Sequence, residues 1–386
     1  MNINQRKVRM GMVGGSKDAF IGAVHRNAAA LDQEIELVCG AFSSNPEKSK
    51  ETGQSLYLPE ERIYATWEEM ITKESKLPEG ERMDFVAIVT PNHLHFGPAK
   101  KALENGFHVM VDKPLCFTVE EAEELNELVE KTGLVFGLTH TYSGYPMIKE
   151  AREYVASGKL GKVRKIYVEY PQGWLSQPLE ASDNKQASWR TDPGRSGKSG
   201  CIGDIGTHAA HLAEYVSGLP ITSLSAQLNI VVPNRRLDDD GAILLKFGGD
   251  VTGVLMATQI AAGEENNLKV RVYGEKGGVE WNHADANTLW VKWLDKPAEK
   301  LRTGNDYLSK AAKANTRVPA GHPEGYLEAF ANIYRNFAMA VRAQVSGNSF
   351  DDHTYDFPGV EDGLMGMKFI DRAVESSNEG GKWLEV

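Results

Sequence analysis

The chain has 386 residues, too many for one ordinary compact core and a fitting size for two domains. With 41% hydrophobic and 25% charged residues it has the composition of a globular protein, which excludes a disordered one. Its net charge of -10 excludes a broad electrostatic grip on nucleic acid or anionic lipid, but not an anionic cofactor held by backbone amides.

The first residues lack the apolar run of a signal peptide, and no later stretch approaches the roughly 20 apolar residues of a membrane span. Val8 to Val13 is β-rich and ends in glycines, and Phe20 to Asp32 has a helical pattern. Ile35 to Phe42, Phe85 to Val89, Val109 to Val111 and Leu134 to Leu138 are further strand-like runs with helical segments between them. Strands of this kind, nearly continuous in apolar residues, predict a doubly wound parallel sheet of the Rossmann type over residues 1–141. From residue 142 the pattern changes. After a helix near Met147 to Ala156, strand signals dominate: Val163 to Tyr170, Ile221 to Val232, Ala242 to Phe247, Thr252 to Gln259 and Leu268 to Tyr273. They predict an α+β domain over 142–386 with a large, open, mostly antiparallel sheet of about six strands. Turns are expected at Gly248-Gly249-Asp250 and Glu275-Lys276-Gly277-Gly278, and an extended loop from Lys296 to His322. Helices near Tyr326 to Gln344 and Val360 to Ser376 close the chain. Cys39, Cys116 and Cys201 have no CxxC spacing, which points to a reducing, cytoplasmic setting rather than a disulfide framework.

Several segments carry chemistry. Gly11-Met12-Val13-Gly14-Gly15, with Gly22 later, lets a backbone approach a pyrophosphate at a helix N-terminus. The final glycine comes late for G-x-G-x-x-G, so an ordinary glycine-rich turn stays open beside dinucleotide binding. At the end of the second strand, where an acid would hold the ribose of NAD, stand Ser43-Ser44-Asn45. Neither a carboxylate nor an arginine is there; the serines equally suit a helix cap. Thr90-Pro91-Asn92-His93-Leu94-His95 and Asp112-Lys113-Pro114 each follow a strand at the sheet's ligand-binding edge. Helix initiation and a solvated lysine are their plain alternatives. In Gly203-Asp204-Ile205-Gly206-Thr207-His208, Asp204 and His208 are i and i+4 and share a helix face, which suits a supported general base. An N-cap aspartate with a packed histidine fits the same spacing. His208 and His211 lack an acidic partner at ligand spacing, so no metal is expected. His25, His108 and His140 are read as structural.

Together the glycine turn, T-P-N-x-x-H, D-K-P and G-D-I-G-T-H resemble the glucose-fructose oxidoreductase, inositol dehydrogenase and rhizopine-catabolism (Gfo/Idh/MocA) family across nearly the whole chain. The resemblance implies catalysis by Lys113, Asp204 and His208, with D-K-P in place of the family's E-K-P. The residues expected at the cofactor are Gly14, Gly15, Phe20, Ile21, Ser43, Ser44, Thr90, Pro91, Asn92, His95, Asp112 and Lys113. NAD is favoured over NADP, since no arginine follows Ser44, although Lys48 is close enough to matter. Trp174-Leu175-Ser176-Gln177-Pro178 and Asn184 to Arg190 are similar to the scyllo-inositol and sugar dehydrogenase branch. That places Trp174, Gln186, Arg190 and His322 at the substrate beside Lys113, Asp204 and His208. The expected activity is NAD-dependent oxidation of a secondary hydroxyl on a cyclitol or sugar. A glycosidase acting by transient oxidation and elimination, and a non-catalytic dinucleotide-binding sensor, are the alternatives. A homotetramer is expected, with His322 acting in cis or across a subunit contact.

Overall fold

The computed structural model describes residues 3–182 and 184–386. In chain order the elements begin with β1 (Val8–Gly14), α1 (Phe20–Leu31), β2 (Ile35–Ala41), α2 (Pro46–Ser55), α3 (Trp67–Glu74) and β3 (Phe85–Val89). They continue with α4 (Phe96–Glu104), β4 (His108–Val111), α5 (Val119–Thr132) and β5 (Phe136–Leu138). Next come α6 (Pro146–Ala156), β6 (Val163–Pro171), α7 (Lys185–Arg190), α8 (Pro193–Ser196), α9 (Thr207–Ser217), β7 (Ile221–Asn229), β8 (Asp240–Phe247) and β9 (Val251–Thr258). The chain closes with β10 (Lys269–Gly274), β11 (Gly277–Asn282), β12 (Thr288–Trp293), β13 (Glu299–Arg302), α10 (Lys310–Ala314), α11 (Tyr326–Ser346), α12 (Val360–Asn378) and β14 (Leu384–Glu385). Two compact units result: residues 1–144 with 326–364, and residues 145–325 with 365–386. Among the described residues no helix is long and apolar enough to cross a membrane.

The first unit is a five-stranded sheet in the order β2-β1-β3-β4-β5, every pair parallel. Strands β3, β4 and β5 are buried along their whole length, which is why their sequences are continuously apolar rather than alternating. Helix α11, expected with the second domain, packs instead in this unit. Its Phe330, Tyr334, Phe337 and Val341 join Met10, Met12, Ala28 and Phe85 in one core. The apolar face of α11 is what groups it there, 188 residues after the last strand of the sheet, and sequence proximity carries no trace of it.

The second unit holds a nine-stranded sheet, β13-β12-β11-β10-β6-β9-β8-β7-β14. Its pairs are antiparallel except β6 with β9. This corrects the expected six strands. The stretch from Lys296 to His322 is also more ordered than expected, since it contains β13 and α10. Both elements are short, and β13 is an edge strand with two exposed residues, so neither leaves a strong periodic signal. One face of the sheet is covered by α6 and α9, and the end of α12 meets the edge of β7, where Ser376 and Ser377 accept from the amides of Ala226 and Leu228. On the other face Leu244 and Met256 are each 52% exposed.

Candidate functional site

In the first unit the carboxyl ends of β1, β3 and β4 carry the predicted cofactor residues. Gly14 and Gly15 both have positive φ, +83° and +71°, the region that favours glycine. A Cβ on Gly14 would meet Thr90 Cγ2 at 2.9 Å and Val89 O at 3.0 Å. The late glycine does the work of close packing: a Cβ on Gly22 would lie 2.4 Å from Gly15 Cα. Residues 16–19 thus lie between two glycines, Gly15 and Gly22, that pack directly against each other. Arg26 Nη1 donates to Gly15 O at 2.6 Å and ties the turn to α1.

The turn fits a dinucleotide. Helix α1 begins after Ala19 with no side-chain cap, so its first backbone N–H groups are open to an anion. Phe20, on its first turn, is 70% exposed, and Ile21 is half-buried against the core. Thr90 Oγ1 is buried without a hydrogen-bond partner beside the Gly14 backbone, a hydroxyl that a bound group would satisfy. Pro91 and Asn92 open a short 3-10 turn rather than α4 itself.

His95 braces the next two loops. Its Nδ1 lies 2.8 Å from Pro114 O and its Nε2 2.8 Å from Thr90 O, so a buried ring links T-P-N to D-K-P. Burial pushes its pKa down, while Asp112 and the two carbonyls pull it up. The Asp112 carboxyl accepts from Thr139 Oγ1 at 2.7 Å and from the Lys113 amide at 3.0 Å. His25 Nε2 is 3.7 Å away, and His25 Nδ1 pairs with Tyr334 OH at 2.7 Å. Burial acts to raise the Asp112 pKa. The His25, Lys113 and Thr139 interactions outweigh it and hold the carboxylate far below its ordinary range. The peptide bearing Lys113 is thus fixed by a buried network, and the Lys113-Pro114 bond is cis. His25, read as structural, belongs to this network.

Ser43 and Ser44 do not cap α2, contrary to one reading of the sequence. Asn45 does, accepting from Lys48 N at 3.1 Å, and Ser43 Oγ accepts from Asn45 N. Asn45 stands immediately before the helical Pro46, where a side-chain oxygen reaches the first free amides.

In the second unit the chain enters α9 through a π-helical turn, Ile202–Gly206, a wide turn that often marks functional positions. Asp204 therefore lies in this turn and not at an α-helical N-cap. Buried Asp238 holds the approach: its carboxylate accepts from Ser199 Oγ, Gly200 N and Ile202 N, each at 2.8 Å. Asp204 Oδ2 accepts from Arg190 Nε at 3.2 Å and from Gln259 Nε2 at 2.9 Å. Arg190 also donates to Gln186 Oε1 and lies over the rings of Trp189 and Trp174, at 4.3 and 5.8 Å. The structure thus brings Trp174, Gln186, Arg190 and Asp204 together. His208, buried at the start of α9, has its ring 6.5 Å from that of Tyr170. Tyr170 OH and Gln172 Nε2 both donate to Asn266 Oδ1, each at 2.6 Å, and Trp174 Nε1 donates to Gln172 Oε1 at 3.0 Å. His322 is elsewhere, exposed on a turn with its ring on Pro319 O.

Sequence reasoning missed Gln259, Asn266, Gln172 and Asp238. Gln259 and Asp238 are buried polar residues in strand-rich surroundings, and that contrast was the available signal.

Residues 8–140 match the model of an oxidoreductase family with an NAD-binding Rossmann fold, and residues 148–280 match the GFO/IDH/MocA C-terminal domain. The chain is 31% identical to an uncharacterized oxidoreductase, YfiI, of Bacillus subtilis, covering 99% of this chain and 98% of that one. It is 25% identical to levoglucosan dehydrogenase of Pseudarthrobacter phenanthrenivorans, with 99% and 98% covered. The crystal structure of an inositol dehydrogenase homologue of Azotobacter vinelandii, complexed with NADH and myo-inositol, superposes with a TM-score of 0.89. Its identity is 33%, with 99% of this chain and 98% of that one covered.

Proposed function

The chain belongs to the Gfo/Idh/MocA family of oxidoreductases, and on that premise we propose that it is an NAD-dependent dehydrogenase of a cyclitol or sugar secondary hydroxyl. The relatives support the class: one is crystallised with NADH and myo-inositol, and another is named for levoglucosan. The observation that carries the reading is the Asp204 carboxylate, fixed by two donors four residues before His208. A sensor has no need for a lysine, an aspartate and a histidine of this kind together.

Bound nicotinamide supplies the hydride acceptor. His208 accepts the proton of the substrate hydroxyl, and Asp204 orients the imidazole and supports its positive charge. Lys113 lends positive charge to the developing alkoxide, its peptide held by Asp112. Gly14, Gly15, Thr90, the exposed Phe20 and the open amides of α1 are the groups that would hold the dinucleotide. Arg190, Gln186 and Trp174 form a polar and aromatic wall suited to a polyol.

His208→Ala and Lys113→Ala are each expected to lose about 100- to 10,000-fold in turnover while still binding NAD, and near-normal turnover in either rejects the assignment. A panel of inositols, hexoses and anhydrosugars, followed by NADH formation, identifies the substrate. Release of an aglycone without net NADH would instead establish the glycosidase reading. The assembly proposed is a homotetramer with His322 reaching a neighbour's substrate. The exposed Leu244 and Met256 and the exposed His322 support it. A monomer mass by light scattering at micromolar concentration rejects it. Absence of recovered activity on mixing His208→Ala with His322→Ala chains, after verified exchange, rejects the trans contribution.

A further inference from the structure

We propose that Asp18 and Lys48 form a charge lock that makes the cofactor site reject a 2'-phosphate. The inference rests on the NAD reading above and names the residue that enforces it.

In a dinucleotide fold the adenosine ribose lies at the carboxyl end of the second strand, where an acid normally discriminates against NADP. Here that position offers Ser43, Ser44 and Asn45, and Asn45 is engaged in capping α2. A carboxylate arrives from a different segment. Asp18 lies in the loop between the glycine turn and α1, and its Oδ2 is 2.7 Å from Lys48 Nζ on the first turn of α2. The loop is tied down beside it. Lys17 Nζ pairs with Glu51 Oε2 at 2.8 Å, and the Lys17 amide reaches Thr52 Oγ1 at 3.4 Å. Lys50 is paired with Glu60. Lys17, Lys48 and Lys50, the cations on this loop and on α2, are therefore each matched by a carboxylate.

A 2'-phosphate carries about -1.5 to -2 charges at neutral pH. To use Lys48 it would have to displace Asp18 and then lie beside the negative Asp18 carboxylate. The Lys48–Asp18 bridge is half-exposed, 34% and 53%, so its own strength is small. Repulsion by Asp18 sets the discrimination, and the strength of the bridge contributes little. Ribose hydroxyls are neutral and donate to a carboxylate, so NAD incurs no such repulsion. The capped N-terminus of α2 leaves little open amide charge to favour a phosphate.

The test is direct calorimetric binding of NAD+ and NADP+, without substrate, to the wild type, Asp18→Asn and Asp18→Asn/Lys48→Ala. Retained NAD+ binding serves as the folding control for both variants. Wild type is expected to prefer NAD+. Asp18→Asn is expected to strengthen NADP+ relative to NAD+ by about tenfold or more, as freed Lys48 makes a charge-assisted contact with the phosphate. The double variant is expected to lose that gain. A ratio in Asp18→Asn within about twofold of wild type, with NAD+ binding intact, overturns the lock alone. So does a gain that survives removal of Lys48. A wild type that prefers NADP+, or binds neither cofactor, overturns the NAD reading and the lock together.

Discussion

Gly22→Ala tests whether the late glycine builds the cofactor turn. The added Cβ would lie 2.4 Å from Gly15 Cα, 2.7 Å from Gly15 O and 2.8 Å from Gly15 C. Carbon contacts settle at about 3.5–4.0 Å, so α1 and the turn must part by about 1 Å or more. None of the three atoms belongs to a side chain that can swing aside. Gly15 is further constrained by its positive φ and by Arg26 on its carbonyl. Overpacking of this kind costs about 1–3 kcal/mol, and a backbone obstacle on both sides places the change at the upper end. For a unit of this size each kcal/mol lowers Tm by roughly 2–4 °C, so a drop of about 6–12 °C is expected. Displacing Gly15 by that distance also weakens NAD binding, by about tenfold or more. Differential scanning calorimetry with and without NAD+ measures both. Gly366→Ala is the control: it lies in α12 with no atom within 4 Å of the added Cβ. Its stability is expected to be unchanged or raised by up to about 1 kcal/mol. If Gly22→Ala melts with the wild type and binds NAD+ equally well, the packing role assigned to Gly22 is refuted.

Burial holds the His108 ring at a pKa of about 4, below its ordinary 6.5, with Asp84 opposing and Arg82 adding to the shift. Its Nδ1 accepts from Val135 N at 3.0 Å, which requires the neutral ring. The unfolded chain takes up a proton that the folded ring refuses. Stability from this residue is therefore complete above about pH 6.5 and is lost as pH falls towards about 4, by about 3 kcal/mol. His108→Gln, which keeps an acceptor, is expected to flatten that loss in urea titrations at pH 7 and 4.5; an identical slope contradicts the assignment. Gln259→Glu places a second carboxylate against Asp204 Oδ2 in place of an amide donor. Turnover is expected to fall about 10- to 100-fold, and the acidic limb of the kcat/KM profile to move to higher pH as His208 becomes more basic. A purely structural Gln259 would lower activity without moving that limb.

The parallel sheet, the change to mostly antiparallel strands after residue 142 and the glycine turn after β1 were all legible in the sequence. Each is a local property: apolar runs report strands buried on both faces, and glycines after β1 report a turn with positive φ. Lys113 drew notice by its strand-end position and Asp204 and His208 by their i, i+4 spacing, both readable over a few residues, although Asp204 lies in a π-helical turn. Which distant groups surround these residues depends on tertiary packing. Gln259 reaches Asp204 across 55 positions, Tyr334 reaches His25 across 309, and Asp18 meets Lys48 from a loop that spoils the simple glycine motif. The same holds for α11, whose helical pattern was plain but whose packing against Met10, Met12 and Phe85 was not. Such pairings depend on strand order and on which helix face finds an uncovered sheet. Local periodicity specifies neither, because it fixes which side of an element is apolar and leaves open what will cover it.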